Sequence, residues 1–271
     1  MSRVGPPRSS FYYQGQAADD EALRTAIEAI GGEFSTYGSR RVTAQLRRPP
    51  YEMVVNRKRV QRVMREMGLQ GRVKRRKHRT TNSDHPYPRY PNLVKGLAVA
   101  FPDQVWVADI TYIRLRIEFI YLAVIMDVYT RAIRGWHLGR SLEQALTLTA
   151  LQRALTDHVP LIHHSDQGVQ YAATDYTDLL AGHGVQISMA AVGKPEENGF
   201  AERLIRTIKE EEVDLSDYHD YPDALSQIGH FIEDVYQTKR IHSALGYLTP
   251  AEFEAAWLQT QTERMSSLKP Y

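Results

Sequence analysis

Residues 104–128 read QVWVADITYIRLRIEFIYLAVIMDV. The first half alternates with period two, so Val105, Val107, Asp109, Thr111 and Ile113 share one face of a strand. The second half, 118–128, is a near-continuous apolar run, as expected of a central strand buried on both faces. Ala132–Gly139 fits a third strand, brought back by a turn at Tyr129–Arg131. Asp109 stands inside this apolar setting. A buried carboxylate is costly unless it is paired or bound to a metal, so the residue draws attention as a functional group.

Working downstream, Ser141–Leu155 reads as a helix with Leu142, Ala145, Leu146, Thr149 and Leu151 near one stripe. Pro160–His164 is a short strand that runs out into Ser165-Asp166-Gln167-Gly168. A helix over Thr174–Ala181, a strand over Val185–Ala190, a flexible stretch over Val192–Gly199 and a helix over Phe200–Val213 follow. A three-stranded meander followed by helix–strand–helix–strand–helix is a mixed α/β order.

Upstream the chain changes character. The net charge of +2 over 271 residues conceals +12 in residues 1–95 and −10 in residues 96–271. Residues 56–79 hold eleven Lys/Arg and one acid, Glu66, a density that points to backbone phosphates as partner. Three short helical patterns precede or overlap this stretch. Asp19-Asp20-Glu21 opens the first, which carries Leu23, Ile27 and Ile30 and stops at Gly31-Gly32; the second spans Ser39–Arg48 and ends at Pro49-Pro50. Asn56 caps the third, which presents Val60, Val63, Met64 and Met67. Three short helices with basic outer faces suit a helix-turn-helix module at 19–72, followed by a basic, proline-containing linker at 73–98, a core at 99–256 and a tail at 257–271.

Composition removes several classes of chemistry. Cysteine is absent, which excludes disulfides, thiolate zinc sites, iron–sulfur clusters and a cysteine nucleophile. The opening MSRVGPPRSSFYYQGQ is too polar for a signal peptide, and no apolar run approaches about 18 residues, so the default expectation is a cytoplasmic protein with no membrane partner.

Two further carboxylates join Asp109. Asp166 sits where a short strand ends in a glycine-containing turn, a common place for functional groups in α/β sheets. Glu202 sits in the first turn of the helix whose apolar side is Ala201, Leu204, Ile205 and Ile208, with Arg206 and Lys209 at i+4 and i+7 on its own side. Oxygen ligands from three separate elements suit hard divalent ions, and paired ions of this kind serve phosphodiester chemistry. Periodicity alone leaves other readings open: an edge position for Asp109, a turn residue for Asp166, a helix-dipole partner for Glu202.

The words around these acids are more specific. FPDQVWVADITYIRL, YLAVIMDVYTRAIRGWHL, HHSDQGVQY and ENGFAERLIRTIKEE resemble, in order, the blocks of a DDE transposase/integrase catalytic core. KRIHSALGYLTPAEFE is similar to the closing motif of insertion-sequence transposases of the IS-three type, in particular their second-reading-frame product, OrfB. YGSRRVTAQLRR and NRKRVQRVMREMGLQGRVKRRK resemble the helix-turn-helix region that precedes that core. The resemblance spans about residues 20–256.

It implies a ribonuclease-H-like integrase core, a five-stranded mixed sheet with flanking helices, behind a small all-α module. It maps the catalytic and metal-binding acids onto Asp109, Asp166 and Glu202, which in the family hold two Mg²⁺ or Mn²⁺ ions. It implies cleavage at the ends of an insertion sequence and joining of a DNA 3′-hydroxyl to target DNA, with no covalent enzyme intermediate. The expected partners are terminal repeats and target DNA, further copies of the chain in a synaptic complex, and an upstream-frame (OrfA) fusion partner. Expected DNA contacts are Arg40, Arg41, Arg57, Lys58, Arg59, Arg62, Lys74, Arg75, Arg76, Lys77, Arg206 and Lys209. The family often has Asp-Asn ahead of the final acid; here Glu196-Glu197-Asn198-Gly199 leaves Glu196 and Glu197 as rival third ligands. Asp127, a fourth acid near the active-site strands, reads as structural or as a neighbour supporting the site acids, and His164 as flanking the site or touching DNA. A DNA-binding relative without activity and a ribonuclease-H-like nuclease are the alternative functions.

Overall fold

The computed structural model describes residues 20–69, 88–191 and 193–267. The chain divides into two compact units, one within residues 1–73 and one within 74–271.

The first unit is a bundle of three helices, α1 (Glu21–Glu33), α2 (Ser39–Leu46) and α3 (Arg57–Glu66). Its core is Leu23, Ala26, Ile27 and Ile30 from α1, Val42 and Leu46 from α2, and Val60, Val63 and Met64 from α3, with Phe34 and Tyr37 stacked beside them. Asn56 caps α3, its side chain accepting from Lys58 N at 2.8 Å. One expectation fails: α1 does not stop at Gly31-Gly32 but runs to Glu33. Burial of Ile30 and Phe34 on either side of the pair outweighs the roughly 1 kcal/mol that each glycine costs a helix.

The second unit is built on one five-stranded sheet, ordered β3-β2-β1-β4-β5. The strands are β1 (Val105–Arg114), β2 (Phe119–Asp127), β3 (Ile133–Gly139), β4 (Ile162–Ser165) and β5 (Gln186–Met189). β1, β2 and β3 pair antiparallel, with Trp106 opposite Asp127 and Arg114 opposite Phe119; β4 and β5 add parallel to β1. Asp127 is fully buried and closes the β2–β3 turn, accepting from Thr130 N and Oγ1 and from Asp103 N, as its structural reading requires.

The helices are α4 (Gln144–Ala154), α5 (Val169–Ala172), α6 (Thr174–Gly182), α7 (Gly199–Ile208), α8 (Tyr221–His230) and α9 (Pro250–Ser267). One apolar layer joins Trp106, Ala108 and Ile125 of the sheet to Leu146, Ala150, Tyr176 and Leu180; the other joins Val105, Val107 and Val124 to Ala201, Leu204, Ile208 and Ile228. The buried stripe of α4 is Leu146, Thr147, Ala150, Leu151 and Ala154, so Leu142, 44% exposed, lies outside it, contrary to the sequence reading. α5 is too short to leave a periodic signal and was not expected. Residues 90–98, assigned to the linker, are bound to the core: Leu93 N donates to Ser188 Oγ, and Met189 N to the Pro91 carbonyl. α9 continues through the start of the expected tail to Ser267.

β3 and α4 meet closely at Gly135, where an added Cβ would lie 2.3 Å from the Ala150 carbonyl oxygen and 2.8 Å from Ala154 Cβ. Gly135→Ala is expected to lower stability by about 1–3 kcal/mol through overpacking, read from the urea midpoint. A variant as stable as the parent would mean that the contact yields without strain.

Candidate active site

Two of the acids lie just beyond the paired stretch of β1 and β4. Val105 pairs with Ile162, Trp106 with His163 and Val107 with His164. Asp109 lies two residues past the last of these pairs on β1, and Asp166 follows directly on the end of β4 at Ser165. Parallel neighbours lie about 4.8 Å apart and share a face. Asp109, in step with Val105 and Val107, belongs to the side of the sheet that α7 covers with Ala201, Leu204 and Ile208. Both carboxylates are half-buried and carry local bonds: Asp109 Oδ1 accepts from Ile110 N at 2.8 Å, and Asp166 Oδ1 from Gly168 N at 2.9 Å.

The third acid arrives on α7. Residues 192–199 were expected to be flexible, but Pro195–Asn198 forms a 3₁₀ turn that leads straight into the helix. Asn198, 2% exposed, donates through Nδ2 to the Ala108 carbonyl at 3.1 Å, fixing the start of α7 beside Asp109. Glu202, half-buried, lies in the first turn of that anchored helix. The rival Glu197 is occupied as a strut, accepting from Ala191 N at 2.9 Å and Asn92 Nδ2 at 2.8 Å, and these bonds lower its pKa. Glu196 is exposed and 3.8 Å from Lys194 Nζ.

Tyr171 of α5 closes the other side. A Cβ at Gly168 would sit 2.9 Å from Asp166 Oδ1 and 3.5 Å from Tyr171 Cδ2, so the ring and the carboxylate flank one glycine. Burial, then Tyr176 and the charges of Asp109 and Asp166, raise the Tyr171 phenol well above its usual value. Sequence reasoning gave no role to Tyr171, which ends one quoted motif, or to Asn198, the second residue of another.

His163 and His164 are held inside the fold. His164 is fully buried, its Nδ1 2.8 Å from Ser188 Oγ and its Nε2 3.1 Å from the Glu197 carbonyl, so it does not face DNA. His163 lies on the opposite face, with Nε2 2.9 Å from Tyr176 Oη. Burial pulls its pKa from 6.5 down to about 3. Between those values the unfolded chain binds a proton that the folded chain refuses, so stability falls on acidification by about 1.4 kcal/mol per pH unit. His163→Leu is therefore expected to remove roughly 2 kcal/mol of the stability difference between about pH 6.5 and 4.5 in urea titrations. An unchanged difference would contradict the neutral assignment.

Among the described residues, one group of three has donor atoms within 4.8 Å of each other: Asp103, His158 and Glu254. Arg134 sits among them, donating to Asp103 Oδ1 at 2.9 Å and to Glu254 at 2.5 and 3.0 Å. A guanidinium already occupies the donor atoms of this cluster and ties α9 to the sheet.

Of the expected DNA contacts, Arg40, Arg57, Lys58 and Arg206 are exposed. Arg41 lies over the Tyr37 ring at 5.1 Å, and Lys209 Nζ over the Tyr112 ring at 4.7 Å. Arg59 and Arg62 both bond Asp20, and Arg62 also Glu66, so these two brace the helical unit. Lys74, Arg75, Arg76 and Lys77 lie outside the described residues.

Known families match the same regions. An HTH-like domain covers residues 18–77, and integrase core domains cover 100–195 and 183–250. The chain is 36% identical over 266 residues to the insertion element IS600 uncharacterized 31 kDa protein of Shigella sonnei, covering 94% of this chain and 97% of the relative. It is 34% identical to the transposase for insertion sequence element IS904 of Lactococcus lactis, covering 88% and 96%. With transposase InsF for insertion sequence IS3A of Escherichia coli it shares 32% identity, over 80% and 76%. The chain belongs to the IS3-type insertion-sequence transposases, as an OrfB product. In structure the transposase is similar to the simian T-cell lymphotropic virus intasome, at TM-score 0.50 and 14% identity over 84% of this chain and 74% of that one, a likeness of fold. Its sheet with flanking helices is the ribonuclease-H-like integrase core, its N-terminal unit the helix-turn-helix module, and its activity class DNA transposition by polynucleotidyl transfer. No helix among the described residues is long and apolar enough to cross a membrane.

Proposed function

We propose that this transposase cleaves DNA at the ends of its insertion sequence and joins the freed 3′-hydroxyl to target DNA, with Asp109, Asp166 and Glu202 as the catalytic, metal-holding acids. What supports the reading is the placement of the three acids: Asp109 on β1, Asp166 one residue past the end of β4, which pairs parallel with β1, and Glu202 on a helix anchored at Ala108. The donor set fits Mg²⁺ or Mn²⁺, being carboxylate oxygen throughout. Two such ions, when bound, would supply activation of the attacking oxygen and neutralise charge on the phosphate and leaving oxygen.

The chain's own residues supply position. In cleavage, water oxygen bonds to phosphorus and the element's 3′-oxygen leaves as a hydroxyl. In joining, that hydroxyl oxygen bonds to a target phosphorus, and the target's 3′-oxygen leaves with a proton. Arg206 and Lys209 follow Glu202 by about one and two helical turns, which aligns positive charge along the path of the strand beside the scissile bond. In the helical unit, Arg40, Arg57 and Lys58 provide exposed charge for phosphates, continued by Lys74, Arg75, Arg76 and Lys77 of the basic stretch. Arg41, Arg59 and Arg62 contribute by orienting that surface. Action on two DNA ends calls for more than one copy, and an upstream-frame partner would add a second DNA-binding element.

The test is a joining assay with a labelled duplex carrying the element's terminal repeat and a free 3′-hydroxyl, a target plasmid, and Mg²⁺ or Mn²⁺. Joined product is expected. Cuts without joining would indicate a nuclease. DNA binding without either, both alone and fused to the upstream frame, would indicate a binding-only relative.

A further inference from the structure

Tyr171 is a buried phenol that the proposed reaction leaves unused. It is 3% exposed, with its ring packed edge-on against Tyr176 at 5.4 Å and tilted against His163 at 6.4 Å. Its hydroxyl is buried and has no hydrogen-bond partner among the described residues. Buried hydroxyls are rarely left in that state. The neighbouring Tyr176 is equally buried, and its hydroxyl lies 2.9 Å from His163 Nε2.

The unpaired donor is in a telling place. Its ring and the Asp166 carboxylate flank Gly168, and both Asp109 and Asp166 act on it electrostatically. The O–H is bonded to neither carboxylate, so a small polar group entering beside Asp166 would meet an unused donor on the ring that borders it. Hard divalent ions enter such sites with part of their water shell.

We infer that Tyr171 is a positioning residue of the metal site, its hydroxyl donating to a water that enters with the divalent ion and lies against the Asp109 and Asp166 carboxylates. The inference rests on the metal-holding role proposed for those acids. Groups that orient metal ligands in this way govern affinity about as strongly as some ligands do, by roughly 10–100-fold.

The experiment compares the full chain with Tyr171→Phe, Tyr176→Phe and Asp166→Asn, using Mn²⁺ alone followed by electron paramagnetic resonance, and thermal melting without metal. Tyr171→Phe is expected to weaken Mn²⁺ binding about tenfold, with its metal-free melting temperature unchanged or raised because an unsatisfied buried hydroxyl is gone. Tyr176→Phe is expected to do the reverse, lowering the melting temperature and sparing Mn²⁺ affinity. In joining assays, Tyr171→Phe should raise the Mg²⁺ concentration for half-maximal rate about tenfold and approach the parent rate at saturation. Parent-like Mn²⁺ affinity in Tyr171→Phe, with binding lost in Asp166→Asn, would overturn this inference alone. Binding that survives in Asp166→Asn, or is missing from the parent, would overturn the metal-site reading as well.

Discussion

Asp166→Asn is expected to abolish joining, with a fall of at least about a thousandfold, while duplex binding and the melting temperature stay near those of the parent. The size follows from the role. A divalent ion contributes several kcal/mol of transition-state charge stabilisation, and about 4 kcal/mol corresponds to a thousandfold in rate. The fold survives because the amide keeps the shape of the side chain and can still accept from Gly168 N, the bond that Asp166 Oδ1 makes at 2.9 Å. Asp109→Asn and Glu202→Gln are expected to match it, because three acids holding one site act as a unit and their losses do not add. Glu196→Gln is the control. That side chain is exposed beside Lys194, so joining is expected to remain at the parent rate. Loss of joining in Glu196→Gln with retention in Glu202→Gln would reverse the choice of third ligand.

Arg240→Met is expected to lower the stability of the core unit by about 3–5 kcal/mol, the largest single-residue stability effect that the structure implies. Arg240 is 2% exposed and pairs bidentately with Glu211, Nε to Oε2 at 2.5 Å and Nη2 to Oε1 at 2.6 Å. Glu211 lies in the π turn Lys209–Val213 that continues α7, and Arg240 is the second residue of the closing motif. The pair therefore clamps the helix that carries Glu202 to the C-terminal segment. Removing the guanidinium leaves a carboxylate largely out of water with its main cation gone, which is costly, whereas replacing both partners with apolar groups avoids that charge. The double variant Arg240→Met, Glu211→Leu is accordingly expected to recover most of the loss in urea titrations. A deficit below about 1 kcal/mol in the single variant would show that the pair is effectively solvated.

The legibility of this molecule follows its physics. β1 was readable because alternation over ten residues is a long signal, and Asp109 because a carboxylate inside it has few structural excuses. The order of the later strands and helices was readable for the same reason, with the resemblance to integrase cores supplying sheet topology that periodicity cannot. Gly31-Gly32 misled because local propensity ranks glycine as a stop, while burial of Phe34 draws the helix onward. The expectation of a flexible stretch at 192–199 missed that Glu197 and Asn198 are held by distant partners: Asn198 on Ala108, Glu197 on Asn92. His164 looked accessible beside Asp166, yet the parallel β4–β5 pairing encloses it against Ser188. Arg59 and Arg62 counted as basic surface because nothing local announces a partner about forty residues upstream at Asp20. Tyr171 was invisible for a different reason: a sequence says which tyrosines are apolar neighbours, and only coordinates say which hydroxyl is left without a bond.

The central claim is that Asp109, Asp166 and Glu202 form one centre for hard divalent ions. The most direct measurement is the anomalous difference density of Mn²⁺ in crystals of the transposase bound to a terminal-repeat duplex. The account predicts peaks bounded by those three carboxylates and none in the Arg134-filled cluster of Asp103, His158 and Glu254. Density at that second cluster, or Mn²⁺ bound by Glu197 in place of Glu202, would contradict it.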